Sequence, residues 1–296
     1  MRRLLSRIWL GEGGIGKRKP LVRCFMRCAE YCEVVANWQV ATNQFEIQLH
    51  SPIVARHAQP GQFVQLRVQT GYEPLFGRPF SVFRTFPERG DFSVIYLVRG
   101  TFTQLLAQKK PGDSVFVVGP LGNRFLVRQP AQEVQHVLVA GGVGAPPMYL
   151  LAEELVQKGV PRQQVVVING ARRHDLLVCQ EHFAELGVPL WAVTEDGSLG
   201  EKGRVTDILK GLNQRGELQR ERCQVYACGP TAMLEAVAKF AQKHNLPCQV
   251  SVETMMPCGM GVCLGCAVKV RTPEGHDYRR ACVEGPVFDA AEVMWE

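Results

Sequence analysis

Four cysteines near the C-terminus carry the clearest chemistry in this sequence. They are Cys258, Cys263, Cys266 and Cys282, and their spacing is C-x4-C-x2-C-x15-C. The first three match the plant-type [2Fe–2S] pattern, which a more distant fourth cysteine completes. A loop that wraps its main chain around an inorganic cluster needs residues that reach positive φ and tolerate close approach. Gly259, Gly261 and Gly265 meet that need. Their N–H groups are expected to donate to sulfur and so tune the potential. Two other readings compete. A four-cysteine zinc site usually shows paired short knuckles, and this stretch has a single C-x2-C. Four inert buried thiols would leave the interleaved glycines unexplained. Disulfides are disfavoured because the chain has no secretory look. The iron–sulfur reading, a site that carries one electron at a time, is the one taken forward.

The rest of the chain must position that loop. At 296 residues it is long enough for about two domains, and its 46% hydrophobic content is ordinary. No apolar run approaches the roughly 18 residues that suggest a membrane span. Eleven cysteines without an export signal suit a reducing compartment, where thiols can hold metal. Of the 34 Lys and Arg, eight fall in residues 1–28 against the single acidic Glu12. The formal charge of +6 therefore resides in that segment, and the near-neutral body carries no nucleic-acid footprint.

Residues 1–29 read as a basic N-terminal extension. Gly11–Arg18 nearly spells a phosphate-binding P-loop but fails at Arg18, where Ser or Thr should hold magnesium. Pro20 would also disturb the helix that must follow. Cys24, Cys28 and Cys32 recur every four residues and would share a face of a helix, but a fourth ligand and loop glycines are missing. A flexible tail and translated sequence upstream of Met26 remain equal readings of this segment.

Residues 30–129 read as β. Phe45, Ile47 and Leu49 alternate, as do Val64, Leu66 and Val68, and Val94, Tyr96 and Val98. Pro and Gly turns separate these runs, which predicts a small antiparallel barrel. Within it, Arg78-Pro79-Phe80-Ser81 offers an arginine for a pyrophosphate, and Gly100-Thr101 opens a helix whose N-terminus can accept a phosphate. A surface arginine and a plain helix cap explain these residues equally well on sequence alone. Residues 130–247 change grammar. An apolar strand, Val137–Ala140, runs into Gly141-Gly142-Val-Gly144-Ala-Pro146 and then a helix, which makes an anion site at the strand's carboxyl end. Cys228-Gly229-Pro230 repeats the arrangement. These strand–helix units predict a parallel α/β sheet that binds a ligand at those edges. Tight structural turns are the alternative, and two of them in one sheet favour the ligand. Residues 248–296 form a small cap around the cysteines, too small to fold well without metal.

A nicotinamide moves two electrons as hydride and a cluster takes one, so a flavin that does both is expected between them. The quoted motifs support a resemblance, together with Gly119-Pro-Leu-Gly122 and Ala281-Cys-Val-Glu-Gly-Pro-Val-Phe288. From about residue 31 to the end, the chain resembles the ferredoxin-reductase-type flavoproteins. More closely, it resembles the electron-transfer subunits of class 1B dihydroorotate dehydrogenases. The resemblance implies FAD on Arg78, Pro79, Phe80 and Ser81, on Ile95, Tyr96 and Leu97, and on Gly100 and Thr101. Ser81 would lie near the reactive flavin nitrogen and Arg78 near the pyrophosphate. Phe80 stands where the family often has tyrosine, which keeps the ring and loses the hydroxyl contact. NAD would dock on Gly141, Gly142, Gly144 and Pro146 and on Cys228, Gly229 and Pro230. The [2Fe–2S] cluster on Cys258, Cys263, Cys266 and Cys282 would exchange electrons with FMN in a separate catalytic subunit that oxidises dihydroorotate to orotate, towards UMP. A cytoplasmic two-plus-two heterotetramer is implied, with no membrane or nucleic-acid partner. This chain would hold no catalytic base, and its seven histidines are scattered. NAD against NADP stays open, because Arg172 and Arg173 follow the second parallel strand, where an arginine can hold a 2′-phosphate. Two alternatives stand: the small flavin subunit of a ferredoxin:NADP transhydrogenase or sulfide dehydrogenase, and a zinc-stabilised binding module without redox chemistry.

Overall fold

The computed structural model describes residues 27–68, 74–128 and 133–295. Cys24, the Gly11–Arg18 stretch and Met26 lie outside the described residues. The first half contains β1 (Cys28–Ala41), β2 (Gln44–His50), α1 (Pro52–His57), β3 (Phe63–Arg67), β4 (Arg78–Ser81), β5 (Arg84–Phe86), β6 (Asp91–Leu97), α2 (Thr101–Ala107) and β7 (Ser114–Leu121). Its strands form one antiparallel sheet in the order β4-β3-β7-β1-β2-β6-β5. Alternate residues of these strands turn inward, because successive side chains of a strand face opposite sides. Val34, Ile47, Leu49, Val64, Leu66, Val94, Tyr96, Val115 and Val117 meet there, closed off by Phe102 and Leu106 of α2.

β1 bends this sheet into a roll. Its first six residues pair with β7, and the rest pair with β2. Register irregularities between Val34 and Ala36 and between Gln39 and Ala41 add the bend such a double role requires. The expected antiparallel barrel is present as a roll that does not close. The two end strands, β4 and β5, are successive pieces of one chain path and share no ladder. Between them, Val82 N donates to Gln62 O at 3.1 Å and Phe83 N donates to Ser93 O at 2.9 Å. The chain thus passes from β3 as partner to β6 as partner. The thiols spaced by four residues also lie differently from the helix considered above. Cys28 and Cys32 are buried in β1, where a spacing of four also keeps one face. Burial pushes the Cys32 thiol up to about 12, so it stays neutral and inert.

The second half contains β8 (Gln135–Gly141), α3 (Ala145–Gln157), β9 (Val165–Ala171), α4 (Gln180–Leu186), β10 (Leu190–Thr194), β11 (Glu201–Lys202), α5 (Val205–Gln214), β12 (Cys223–Cys228) and α6 (Thr231–Lys243). The C-terminal segment adds β13 (Cys248–Ser251), β14 (Ala267–Thr272), β15 (Gly275–Arg280) and β16 (Val287–Asp289). A seven-stranded sheet runs β11-β10-β9-β8-β12-β13-β16 and is parallel except for its last pair. Its central strands β8, β9 and β12 are buried almost throughout because helices cover both faces. Met148, Leu151 and Phe183 of α3 and α4 pack on one side, and Leu209, Leu212, Leu234 and Val237 of α5 and α6 pack on the other.

Two strands of this sheet, β13 and β16, come from the segment that also carries the cysteines. Between them lie the cysteine loop and the β14–β15 hairpin, a two-stranded sheet of its own. The loop and hairpin together are therefore anchored at both ends in the seven-stranded sheet. One apolar cluster joins Cys266, Cys282, Ala281 and Met256 to Phe63 and Leu121 of the antiparallel roll.

Candidate functional site

The cysteine loop leaves β13 and returns at β14. Gly259 and Gly261 take φ of +68° and +81°, and Leu264, which is not glycine, takes +58°. A Cβ on Gly261 would stand 2.5 Å from Val283 Cγ2, so only glycine passes there. The loop's amides turn toward sulfur, with Met260 N donating to Cys258 Sγ at 3.4 Å and Gly265 N donating to Cys263 Sγ at 3.5 Å. Partial burial pushes the Cys258 thiol up, but donors from Met260, Cys263 and Val262 outweigh it, and the thiol settles at about 6. It is a ready thiolate, the form that binds metal. Cys266 and Cys282 are 1% and 2% exposed, with their sulfurs 3.3 Å apart. Burial first, and the Cys266 thiol second, push Cys282 up to about 12. Metal binding at thiols releases their protons.

The four thiols thus fall into two pairs, Cys258 with Cys263 and Cys266 with Cys282. Among the described residues no three His, Cys, Asp or Glu converge as ligands of one metal ion. A two-iron cluster takes its cysteines two per iron, and the paired arrangement fits that ligation. Beneath the loop, Arg280 Nη1 donates to Gly261 O at 3.1 Å while its guanidinium pairs with Glu284.

The two glycine turns stand side by side. Ala140 at the end of β8 pairs in register with Cys228 at the end of β12. A Cβ on Gly144 would lie 2.1 Å from Cys228 O, and one on Gly229 would lie 3.1 Å from the Gly141 main chain. The absent side chains let the turns touch, which places the first turns of α3 and α6 at one edge of the sheet. Gly142 has φ +53° and nothing within 4 Å of where its Cβ would be, so that side is open for a phosphate. Pro146 is buried in the first turn of α3 and fixes its entry. Beyond β9, Arg173 makes two bonds to Asp175, at 3.0 and 2.7 Å.

The flavin motif forms β4. Arg78 is exposed, folds back on the carbonyls of Phe76 and Gly77 and lies 5.7 Å from the Phe102 ring. Phe80 stacks on Phe102 at 5.9 Å and meets Tyr96 edge-on at 6.0 Å. Of the residues expected to line this site, Ile95 and Tyr96 have buried side chains, and the Tyr96 hydroxyl donates to Asn37 Oδ1 at 3.0 Å. Leu97, Gly100 and Thr101 are exposed. Nothing lies within 4 Å of a Cβ on Gly100, which leaves the head of α2 clear. Pro79 and Ser81 are half-buried beside them.

The structure brings the flavin motif and the cluster loop together through a residue that the sequence pattern did not mark. Gln65 of β3 lies opposite Pro79 in register and donates from Nε2 to Met256 O at 2.7 Å. Its period-2 position, between the core residues Val64 and Leu66, reads as a solvent-facing strand site. In the structure that face is covered by the loop.

Three family models match successive stretches: an oxidoreductase FAD-binding domain over residues 32–125, an oxidoreductase NAD-binding domain over 138–239, and the iron–sulfur cluster binding domain of dihydroorotate dehydrogenase B over 253–294. Fold and site together define an iron–sulfur flavoprotein oxidoreductase that binds FAD, NAD and a cluster. The chain belongs to the family of electron transfer subunits of NAD(+)-dependent dihydroorotate dehydrogenase B. It is 37% identical to that subunit of Desulforamulus reducens over 264 residues, 89% of this chain and 97% of the relative. It is also 37% identical to that of Bacillus cereus, over 88% of this chain and 96% of the relative. Among solved structures, an NADH-dependent reduced ferredoxin-NADP oxidoreductase, studied for flavin-based electron bifurcation, matches with a TM-score of 0.76 and 35% identity, covering 89% of this chain and 90% of that one. A ferredoxin NADP+ reductase from Neisseria gonorrhoeae, with bound FAD and NADP, matches at 16% identity and a TM-score of 0.62, and shows the fold alone.

Proposed function

We propose that this chain is the electron-transfer subunit of an NAD-dependent dihydroorotate dehydrogenase and serves pyrimidine synthesis. Its partner is an FMN-containing catalytic subunit, in a two-plus-two assembly. The observation that carries the reading is the seam between cluster loop and flavin strands, where Gly259 approaches both Gln65 and Leu121. Bound together, nicotinamide, flavin and cluster supply a two-electron carrier, a converter and a one-electron centre.

The chain's own residues set the stage for these groups. Arg78 and the head of α2 bind the flavin's phosphates, and Phe80, held by Phe102, walls the ring. The glycine turns after β8 and β12 bind NAD. The bidentate Asp175 neutralises Arg173, which disfavours its use on a 2′-phosphate and supports NAD over NADP. Cys258 and Cys263 hold one iron, and Cys266 and Cys282 hold the other. Around exposed Cys263 stand Met255, Met260, Val262 and Leu264, all largely exposed. Such an apolar collar suits docking of the catalytic subunit. The ten free thiols among the described residues suit a reducing cytoplasm.

The test is isolation with the native partner. Copurification with an FMN subunit, and NAD reduction on adding dihydroorotate, support the proposal. Copurification with a larger two-flavin subunit that reduces NADP from ferredoxin would replace it with the second reading, which the 0.76 TM-score neighbour favours.

A further inference from the structure

We propose that Gln65 is a positioning residue for electron transfer, holding the cluster loop at a fixed distance from the flavin strand. This rests on the reading above, in which β4 seats the flavin and Cys258 ligates iron. Gln65 is 5% exposed, on a strand whose neighbouring outward residue, Phe63, joins the apolar cluster around Cys266 and Cys282. A glutamine there costs stability unless its amide is used. Its Nε2 is used, donating to Met256 O at 2.7 Å and to Pro257 O at 3.4 Å, the two residues before the first ligand, while its Oε1 is buried with no partner among the described residues.

Two glycines make room for this one side chain. A Cβ on Gly77 would stand 2.9 Å from Gln65 Cγ, and a Cβ on Gly259 would stand 3.2 Å from Gln65 Oε1. Gly77 directly precedes the flavin motif, and Gly259 directly follows Cys258. The stem of Gln65 is therefore gripped by the flavin segment and its tip by the cluster loop. Asn123, the next side chain to reach across, donates to Glu284 O and Val287 O and so fixes the segment after Cys282. The loop's outer residues Met255, Met260 and Val262 face solvent, and its inner side meets β3 through the Gln65 bond and through Met256, which packs with Phe63 and Leu121. Electron tunnelling falls exponentially with distance, and small displacements of reacting groups cost rate steeply.

The experiment compares wild type, Gln65→Leu and Gln65→Glu as cofactor-loaded protein. It measures iron and FAD content, amide exchange over residues 256–260, and stopped-flow reduction of flavin and cluster by NADH. In Gln65→Leu, flavin reduction keeps its wild-type rate, cluster reduction slows about tenfold or more, and exchange quickens at the loop. Gln65→Glu keeps the shape but places a carboxylate against two carbonyls. It shows the same lag at alkaline pH, and the lag shrinks as acid returns a proton for the side chain to donate. A mere packing role would leave Gln65→Leu, which fills much the same space, like wild type. If Gln65→Leu loses iron, the pH dependence of Gln65→Glu decides. Variants whose clusters fill as fast as wild type would overturn the proposal alone. Wild-type protein lacking iron or FAD would overturn the cofactor reading and the proposal with it.

Discussion

Replacing Gly144 with alanine tests the paired glycine turns most sharply. The new methyl would stand 2.1 Å from Cys228 O, 2.4 Å from its carbonyl carbon and 2.7 Å from Gly229 N, where ordinary contact begins at 3.4 Å. All three atoms are main chain at the end of a central strand, so no rotamer relieves the clash. Overpacking costs about 1–3 kcal/mol, and backbone against backbone puts this case near 3. At roughly 2–4 °C per kcal/mol, the melting temperature should fall by about 6–12 °C. Gly142→Ala is the matched control. Its methyl meets nothing within 4 Å, and only the left-handed φ of +53° is strained, about 1 kcal/mol. That variant should melt within about 4 °C of wild type. Its methyl fills the space proposed for the nucleotide, so the KM for NADH should rise about tenfold, equivalent to roughly 1.4 kcal/mol. The assays are thermal unfolding of the FAD-loaded protein and steady-state NADH oxidation. A Gly144→Ala protein as stable as wild type would refute the contact between the two turns.

Three further outcomes are expected. Cys263→Ser loses the cluster while FAD stays bound, since β4 and α2 are not part of the loop; loss of flavin absorbance along with the cluster bands would contradict this. In cluster-free protein, Cys258, at about 6, reacts with iodoacetamide at neutral pH, while Cys32 and Cys223, both pushed up to about 12 by burial, stay unlabelled. Peptide mass spectrometry that found Cys258 labelled no faster than Cys223 would refute the loop's electrostatics. Glu46 lies in a cavity of about 600 Å³ between the roll and residues 177–182, where burial raises its carboxyl and Ser93, then Arg84, offset part of the rise. A raised folded value means stability that is full below the unfolded value and lost as pH climbs through the folded one. Glu46→Gln should therefore gain on wild type as pH rises, and a melting-temperature gap that does not change with pH would show the carboxyl to be unperturbed.

Much of this fold can be read from the chain, and the parts that resist reading do so for physical reasons. β2, β3 and β6 alternate cleanly because one face meets the core. β8, β9 and β12 read as apolar runs because both faces are covered. β1 is the longest strand and the least legible. Tyr31, Val35 and Trp38 are exposed on it, and its irregular register breaks the period. β16 has three residues and exists as a strand only by pairing with β13. The open roll depends on where Val82 and Phe83 find partners, which is a matter of long-range pairing. In the site, spacing marked the four cysteines, but their division into two pairs came from the fold. Ile95 and Tyr96 are consecutive on β6 and so join different apolar clusters, and periodicity alone does not say which face meets a ligand. Gln65 escaped notice because a polar residue in strand alternation signals solvent, and here the solvent side is occupied by a loop from 191 residues further along.

The account stands on electrons passing between flavin and cluster within one chain. The most direct measurement is anaerobic addition of NADH to the purified, cofactor-loaded protein without its partner, followed by low-temperature EPR and the visible spectrum. The flavin should bleach, and the signal of a reduced two-iron cluster should grow toward one spin per chain. Bleached flavin beside a cluster that stays oxidised, although a stronger chemical reductant reduces it, would contradict the account.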